Sequence, residues 1–353
     1  MILQQLLNVE LPIIQAPMAG AQDSLLAIAV AEAGGLGSLP CAMLGTDALR
    51  AEVRAIRSAT DRPFNLNFFC HPEPVADPQR ETVWLANLAP YYAELGIDAA
   101  EVTAAPSRQP FSAETAGLLE ELRPSVVSFH FGLPSPELLE RVKALGAIVL
   151  SSATTVDEAR WLEAHGADVI VAQGYEAGGH RGMFLSEDLG TQLGTFALVR
   201  QIVGAVKRPV VAAGGIADGE GVAAAVALGA AGVQVGTAFL LCPEATTSRL
   251  HRAALESEAA QRPVLTNVFT GRPARGIVNR AVRELGPLSS VAPAFPLAAA
   301  AIAPLRVEAE ARGLDDFSPL WCGQNAQGWR RISACELTRE LARGFDGEKL
   351  RRP

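Results

Sequence analysis

The sequence predicts an α/β fold, a (β/α)8 TIM barrel with a smaller, mainly helical C-terminal cap, and three observations carry that prediction. Eight short apolar runs, β-branched in part and bounded by glycine, proline or a polar turn, recur along the chain. Helical patterns of about 10 to 15 residues separate them, which is the alternation of βαβ units and parallel pairing. No early G-x-G-x-x-G turn is present to argue for an open, doubly wound sheet, so the closed barrel is favoured over it.

Taken in order, the strands are expected at 13–17, 36–40, 64–69, 126–131, 147–151, 169–173, 209–213 and 232–235. Helices at 24–33, 46–59, 136–145, 155–165, 195–206 and 219–228, and a longer insertion at 72–123, fill the intervals. Three helices close on Ala33-Gly34-Gly35, Leu145-Gly146-Ala147 and His165-Gly166-Ala167, where glycine suits the left-handed C-cap before the next strand. Beyond the eighth strand follow a helix near 245–258, a polar segment at 263–283, an alanine-rich run and a C-terminal helix. The expected division is 1–240 for the barrel and 241–353 for the cap and extension packed on it. A chain of 353 residues has room for both, since one barrel takes roughly 250.

Composition narrows the function classes. With 49% hydrophobic and 19% charged residues the chain is far from the profile of disorder. Its net charge of −8 comes without a basic run longer than the tail at 349–352, so no nucleic-acid partner is expected. The first residues lack the basic and apolar regions of a secretory signal, and a cytoplasmic protein is expected. The weakly polar stretch 291–305 contains three prolines and is shorter than the ~20 apolar residues of a membrane span, so no membrane is expected. Cys41, Cys70, Cys242, Cys322 and Cys335 stand at unrelated spacings with an odd total, which predicts reduced thiols and no metal centre. Monomer and homodimer both remain open.

In such barrels the chemistry sits just beyond the C-terminal ends of the strands. That rule collects Met18-Ala19-Gly20, Asn67, His71, His130, residues 174–182, Gly214-Gly215 and Gly236-Thr237, and leaves His165 and His251 on helices. Glycine turns after the seventh and eighth strands let backbone N–H groups approach an anion, and those two turns are the usual phosphate site of the fold. The run from Gln173 to Gly182 holds four glycines in nine positions, too many for helix or strand, and carries His180, a side chain able to exchange a proton near neutral pH. Glu176 and Arg181 read as a salt-bridged or solvated pair outside the chemistry. His130 reads equally as a hydrogen-bonded core residue and as a ligand contact. Cys41 and Cys70 lie on the same face and read as small buried thiols. His71, His130 and His180 together raise a metal-dependent hydrolase, against which stand the missing H-x-H and H-E-x-x-H pairs and an eighth strand ending in Gly-Thr without a carboxylate. A non-catalytic binding protein would leave His180 without a role.

The motifs Gln15-Ala16-Pro17-Met18-Ala19-Gly20, Gln173 to Gly182, Ala213-Gly214-Gly215-Ile216 and Gln234-Val235-Gly236-Thr237 resemble those of the nitronate monooxygenases, also called 2-nitropropane dioxygenases. The resemblance implies non-covalent FMN and oxidation of alkyl nitronates by O2 to a carbonyl compound and nitrite. Carried over by position, it implies FMN binding by Ala16, Pro17, Met18, Asn67, Gln173, Gly178, Gly179, Gly214, Gly215, Gln234, Val235, Gly236 and Thr237, with Met18 and its neighbours beside the isoalloxazine ring. His180 matches the family's base toward neutral nitroalkanes, and His130 joins it as a substrate contact. A protonated His180 would also hold an anionic nitronate. Residues 267–276 read as a cap element over the flavin. The same pattern also resembles NAD(P)H-dependent flavin reductases of the quinone reductase or enoyl-acyl-carrier-protein reductase type.

Overall fold

Eight parallel strands run through the centre of the structure: β1 (Ile13–Gln15), β2 (Gly37–Pro40), β3 (Phe64–Phe69), β4 (Val126–His130), β5 (Ile148–Ala153), β6 (Val169–Gln173), β8 (Val210–Ala213) and β9 (Gly232–Val235). A two-residue strand, β7 (Gly179–His180), falls between the sixth and seventh of these and pairs elsewhere. The computed structural model describes residues 2–98 and 108–345, so the middle of the 72–123 insertion and the basic tail at 349–352 lie outside the described residues. The strands hydrogen-bond in the order β1-β9-β8-β6-β5-β4-β3-β2. A parallel bridge between Ile14 and Leu36 joins the two ends, with Leu36 N–H donating to Ile13 O at 2.8 Å and Gln15 N–H to Leu36 O at 3.0 Å. The sheet is therefore a closed TIM barrel.

Each expected strand is present, shifted by at most two residues at either end. The differences have local causes. β1 ends at Gln15 because Ala16 N–H makes the last bond to Val235 O and Pro17 has no N–H to continue the ladder. β4 stops at His130 because Phe131 turns into the left-handed region at φ 70°.

Helices α1 (Ile2–Leu7), α2 (Ser24–Glu32) and α3 (Thr46–Ala59) precede the insertion, which contains α4 (Pro78–Leu95) and α5 (Ala113–Leu122). α6 (Pro136–Ala144), α7 (Val156–Ala164), α8 (Thr195–Ala205) and α9 (Gly219–Ala227) complete the barrel's outer ring. Several begin on a side-chain cap, with Asp23, Ser135, Thr155 and Asp218 each accepting a first-turn amide. The glycines after α2, α6 and α7 take positive φ as the sequence predicts: Gly34 93°, Gly146 80° and Gly166 102°.

Beyond the barrel come α10 (Arg249–Leu255), β10 (Val264–Thr266), β11 (Ala274–Gly276), α11 (Arg280–Glu284), α12 (Ala298–Ala311) and α13 (Ala334–Ala342). The polar segment at 263–283 is thus partly a hairpin, and β10, β11 and β7 form a small antiparallel sheet. Packing divides the chain differently from sequence order. Trp84, Leu88 and Tyr92 of α4 share a core with Val268, Phe269, Ile302 and Leu305, so this helix of the insertion packs with the cap, whereas Ala116, Leu119 and Leu122 of α5 bury against the barrel. Ala334, Leu337 and Leu341 of α13 bury in the barrel's main core. Among the described residues no helix is long and apolar enough to cross a membrane, and all five cysteines are unpaired.

Candidate active site

The strand registers bring Asn67 opposite Ser128, Gln173 opposite Ala213, and Ala213 opposite Gln234, so these side chains share the C-terminal rim. A cavity of about 470 Å³ opens there, within the usual range for a small-molecule site. Ala16, Pro17, Met18, Asn67, His130, Gln173, Gly178, Gly179, His180, Gly214, Gly215, Gln234, Gly236 and Thr237 all line it. Val235 does not. Strand alternation turns Gln234 inward and buries the Val235 side chain in the outer core, leaving only its carbonyl, which accepts the Ala16 N–H.

Loop 174–182 is held by hydrogen bonds that its composition did not reveal. Gln173 engages both ends of its amide within the loop: Nε2 donates to His180 O at 2.9 Å and Oε1 accepts from Gly182 N–H at 2.8 Å. His130 Nε2 donates to the same His180 carbonyl at 3.3 Å, and its Nδ1 accepts from Ser152 Oγ at 2.6 Å. Both ring nitrogens of His130 are thereby occupied, so of its two readings the hydrogen-bonded one fits; it reaches the cavity wall as ring surface. Burial, reinforced by Arg272, lowers its pKa to about 3.

Arg181 and Glu176 do not form the expected pair. Arg181 is fully buried, donates to the carbonyls of Gln173 and Gly174 at 2.8 and 2.6 Å and to Gln192 Oε1, and so fixes the root of the loop. Glu176 instead accepts from Thr195 N–H at 2.7 Å and Thr195 Oγ1 at 2.8 Å, at the N-terminus of α8. The carboxylate therefore caps a helix.

His180 is anchored between barrel and cap. Its backbone pairs with Ala274 of β11, and its Nε2 lies 2.9 Å from Thr270 Oγ1. Nδ1 has no hydrogen-bond partner among the described residues. Phe131, Phe295 and Trp321 surround the ring edge-on or tilted at centroid distances of 6.1, 5.3 and 5.5 Å. Burial in this aromatic box, with Arg108, His130, Arg272 and His71 adding positive repulsion, holds the His180 pKa well below its ordinary value. The shift favours the neutral ring, the form able to accept a proton, and counts against the expected cationic His180. The cationic side chains at the wall are Arg108 and Arg306, the latter neutralised by Glu310, also at the wall, at 2.7 Å.

The turns after β8 and β9 stand side by side. Gly214 and Gly215 take φ of 109° and 72°, and a Cβ on Gly214 would stand 3.0 Å from the Ala177 amide nitrogen. Residues 320–329 roof this side: Asn325 Nδ2 donates to Gly215 O at 2.9 Å and Gly323 N–H to Thr237 Oγ1 at 3.0 Å. A Cβ on Gly178 would lie 2.5 Å from the Cys322 carbonyl carbon, so this glycine admits the roof. The strand-end rule could not find Asn325, Trp321, Arg108 or Arg306, which come from the cap and insertion. It also left His251 on a helix, yet His251 lines the cavity. The one available mark was the polar run Gly323-Gln324-Asn325 following Trp321-Cys322.

A closed barrel whose rim encloses an aromatic-walled cavity around a histidine with one free nitrogen defines an enzyme acting on small molecules. The profile of the nitronate monooxygenase family matches residues 1–344. The chain belongs to this family of oxidoreductases. It is 44% identical over 352 residues to a nitronate monooxygenase of Pseudomonas aeruginosa, covering 97% of this chain and 98% of that one. Among solved structures it superposes on a nitroalkane oxidase from Streptomyces ansochromogenes with TM-score 0.88 and 39% identity, covering 98% of this chain and 99% of the other. FabK from Thermotoga maritima follows at TM-score 0.72 and 27% identity, covering 98% and 95%.

Proposed function

We propose that this protein uses FMN and O2 to oxidise alkyl nitronates to a carbonyl compound and nitrite, and that it also accepts neutral nitroalkanes, whose α-proton His180 removes. The observation that carries the reading is His180 itself, neutral, desolvated and free at Nδ1 inside the cavity. Its family and its nitroalkane oxidase neighbour support the substrate class.

The residues present suit a flavin mononucleotide. The paired glycine turns at Gly214-Gly215 and Gly236-Thr237 offer backbone to one phosphate. Met18 and Ala16 flank Gly236 where a Cβ would meet them at 3.7 and 3.4 Å, giving the floor for a flat ring system. Asn67 donates to Ser128 Oγ at 2.9 Å and keeps its amide oxygen for a ligand. Bound there, the flavin supplies the electron transfer to O2. The protein's share is orientation and proton handling: Arg108 meets the partly negative nitro oxygens or the anionic nitronate, the phenylalanines exclude water, and His180 Nδ1 receives the α-proton.

Purified protein is expected to be yellow and to release FMN on heating. Gly215→Asp should weaken flavin retention by setting a carboxylate against the phosphate, and unchanged flavin content in that variant would remove Gly215 from the site. Colourless protein that refuses added FMN would sink the reading. The decisive comparison sets aerobic turnover of an alkyl nitronate against anaerobic flavin reduction by NADH and NADPH. Nitrite from the nitronate and slow or absent reduction by nicotinamides are expected. The likeness to FabK favours one alternative, an NAD(P)H-dependent flavin reductase, and fast nicotinamide oxidation without nitrite would establish it.

A further inference from the structure

We propose that Thr270, on the turn between β10 and β11, is the positioning residue of His180: its hydroxyl accepts the Nε2–H, fixes that tautomer, and leaves the Nδ1 lone pair as the base. The inference rests on the proposed base role and follows from counting donors and acceptors. Thr270 is buried, and its Oγ1 has three polar neighbours: His180 Nε2 at 2.9 Å, Arg272 O at 3.4 Å and Arg272 N–H at 3.5 Å. A hydroxyl has one donor and two acceptor sites. The Arg272 carbonyl can only accept and the Arg272 amide can only donate. All three neighbours are satisfied together only when the hydroxyl proton goes to the carbonyl and the two lone pairs accept from the Arg272 amide and from His180 Nε2–H.

The opposite arrangement, with Thr270 donating to Nε2, places the ring proton on Nδ1 and leaves no nitrogen able to take a proton from substrate. His180 is held from its other side as well, because Gln173 and His130 both donate to its carbonyl. The backbone clamp comes from the barrel and the tautomer from the cap, through a contact 90 residues distant in sequence. In the step itself the α-C–H bond of the nitroalkane breaks. Its electron pair stays on the substrate as nitronate and the proton passes to Nδ1.

The test uses holoenzyme labelled with 15N at histidine, in which long-range 15N–1H correlation spectra distinguish the two tautomers and His180→Asn identifies the signal. The wild-type ring should show the Nε2–H form. Thr270→Val, with Thr270→Ala in reserve if folding suffers, should shift the ring toward Nδ1–H, and Thr270→Ser should restore it. The valine variant should lose about 10- to 100-fold in kcat on a neutral nitroalkane, the scale of a lost orienting partner, with KM and nitronate turnover changing far less. An unchanged tautomer in the valine variant overturns the proposal, as does an equal loss on both substrates accompanied by loss of flavin. If His180→Asn itself spares nitroalkane turnover, the base reading fails separately, while the spectrum still decides whether Thr270 sets the ring.

Discussion

Replacing His180 with asparagine is expected to lower turnover of a neutral nitroalkane by about 10²- to 10⁴-fold, the usual contribution of a general base, and to leave flavin content near normal. Asparagine keeps a polar group near Thr270 but offers no basic nitrogen. A nitronate already lacks the α-proton, so its turnover should fall much less. The two substrates are thus internal controls for one another. Equal losses on both, with flavin retained, would make His180 an orienting residue. No loss on either would remove it from the chemistry, and His130 would not replace it, because both of its ring nitrogens are already hydrogen-bonded.

The second large effect is acid lability at a pH where most carboxylates are still ionised. An unfolded chain's histidines take up protons near pH 6.5, whereas burial holds folded His71 and His251 to about 4 and His130 to about 3. Between those values the unfolded chain binds more protons, so stability is fully present above about pH 6.5 and drains as the pH falls. Each fully shifted histidine loses about 1.4 kcal/mol per pH unit, or about 2 kcal/mol by pH 5. Three such rings, with His180 shifted the same way, approach the ~5–15 kcal/mol that holds an ordinary domain together. Thermal melts of the protein should lose roughly 10 °C between pH 7 and pH 5. His71→Phe, which suits the ring's place beside Phe69, Phe131 and Phe295, should flatten that slope. A melting temperature constant across the interval would show that these rings are not held neutral.

The barrel was legible because its signals are local. A β-branched run, a capping Asp or Ser and a left-handed glycine each act within a few residues, and they located strands and helices closely. The rim side of the site followed from topology, since parallel strands in register deliver Asn67, Gln173 and Gln234 to one end. What stayed hidden depends on distant partners. Arg181 is a charged residue whose acceptors are carbonyls, and carbonyl direction leaves no trace in composition. Thr270 and Asn325 matter only because a hairpin and a roof fold back over the rim. The lowered proton affinity of His180 was out of reach for the same reason, because the rings that bury it, Phe131, Phe295 and Trp321, come from distant segments.

The roof over the glycine turns carries a consequence for folding. The bond from Asn325 to Gly215 spans 110 residues and that between Thr270 and His180 spans 90, whereas barrel strands mostly pair with near neighbours along the chain. Closing such long loops is entropically slow and is rewarded only once the underlying scaffold exists. Because the roof at 320–329 rests on the finished rim, it is expected to dock after the barrel and to open first under mild denaturant. Hydrogen exchange should protect β6 and β8 while 320–329 is already exchanging, and ligand capture should slow the opening of that roof before it affects the barrel beneath.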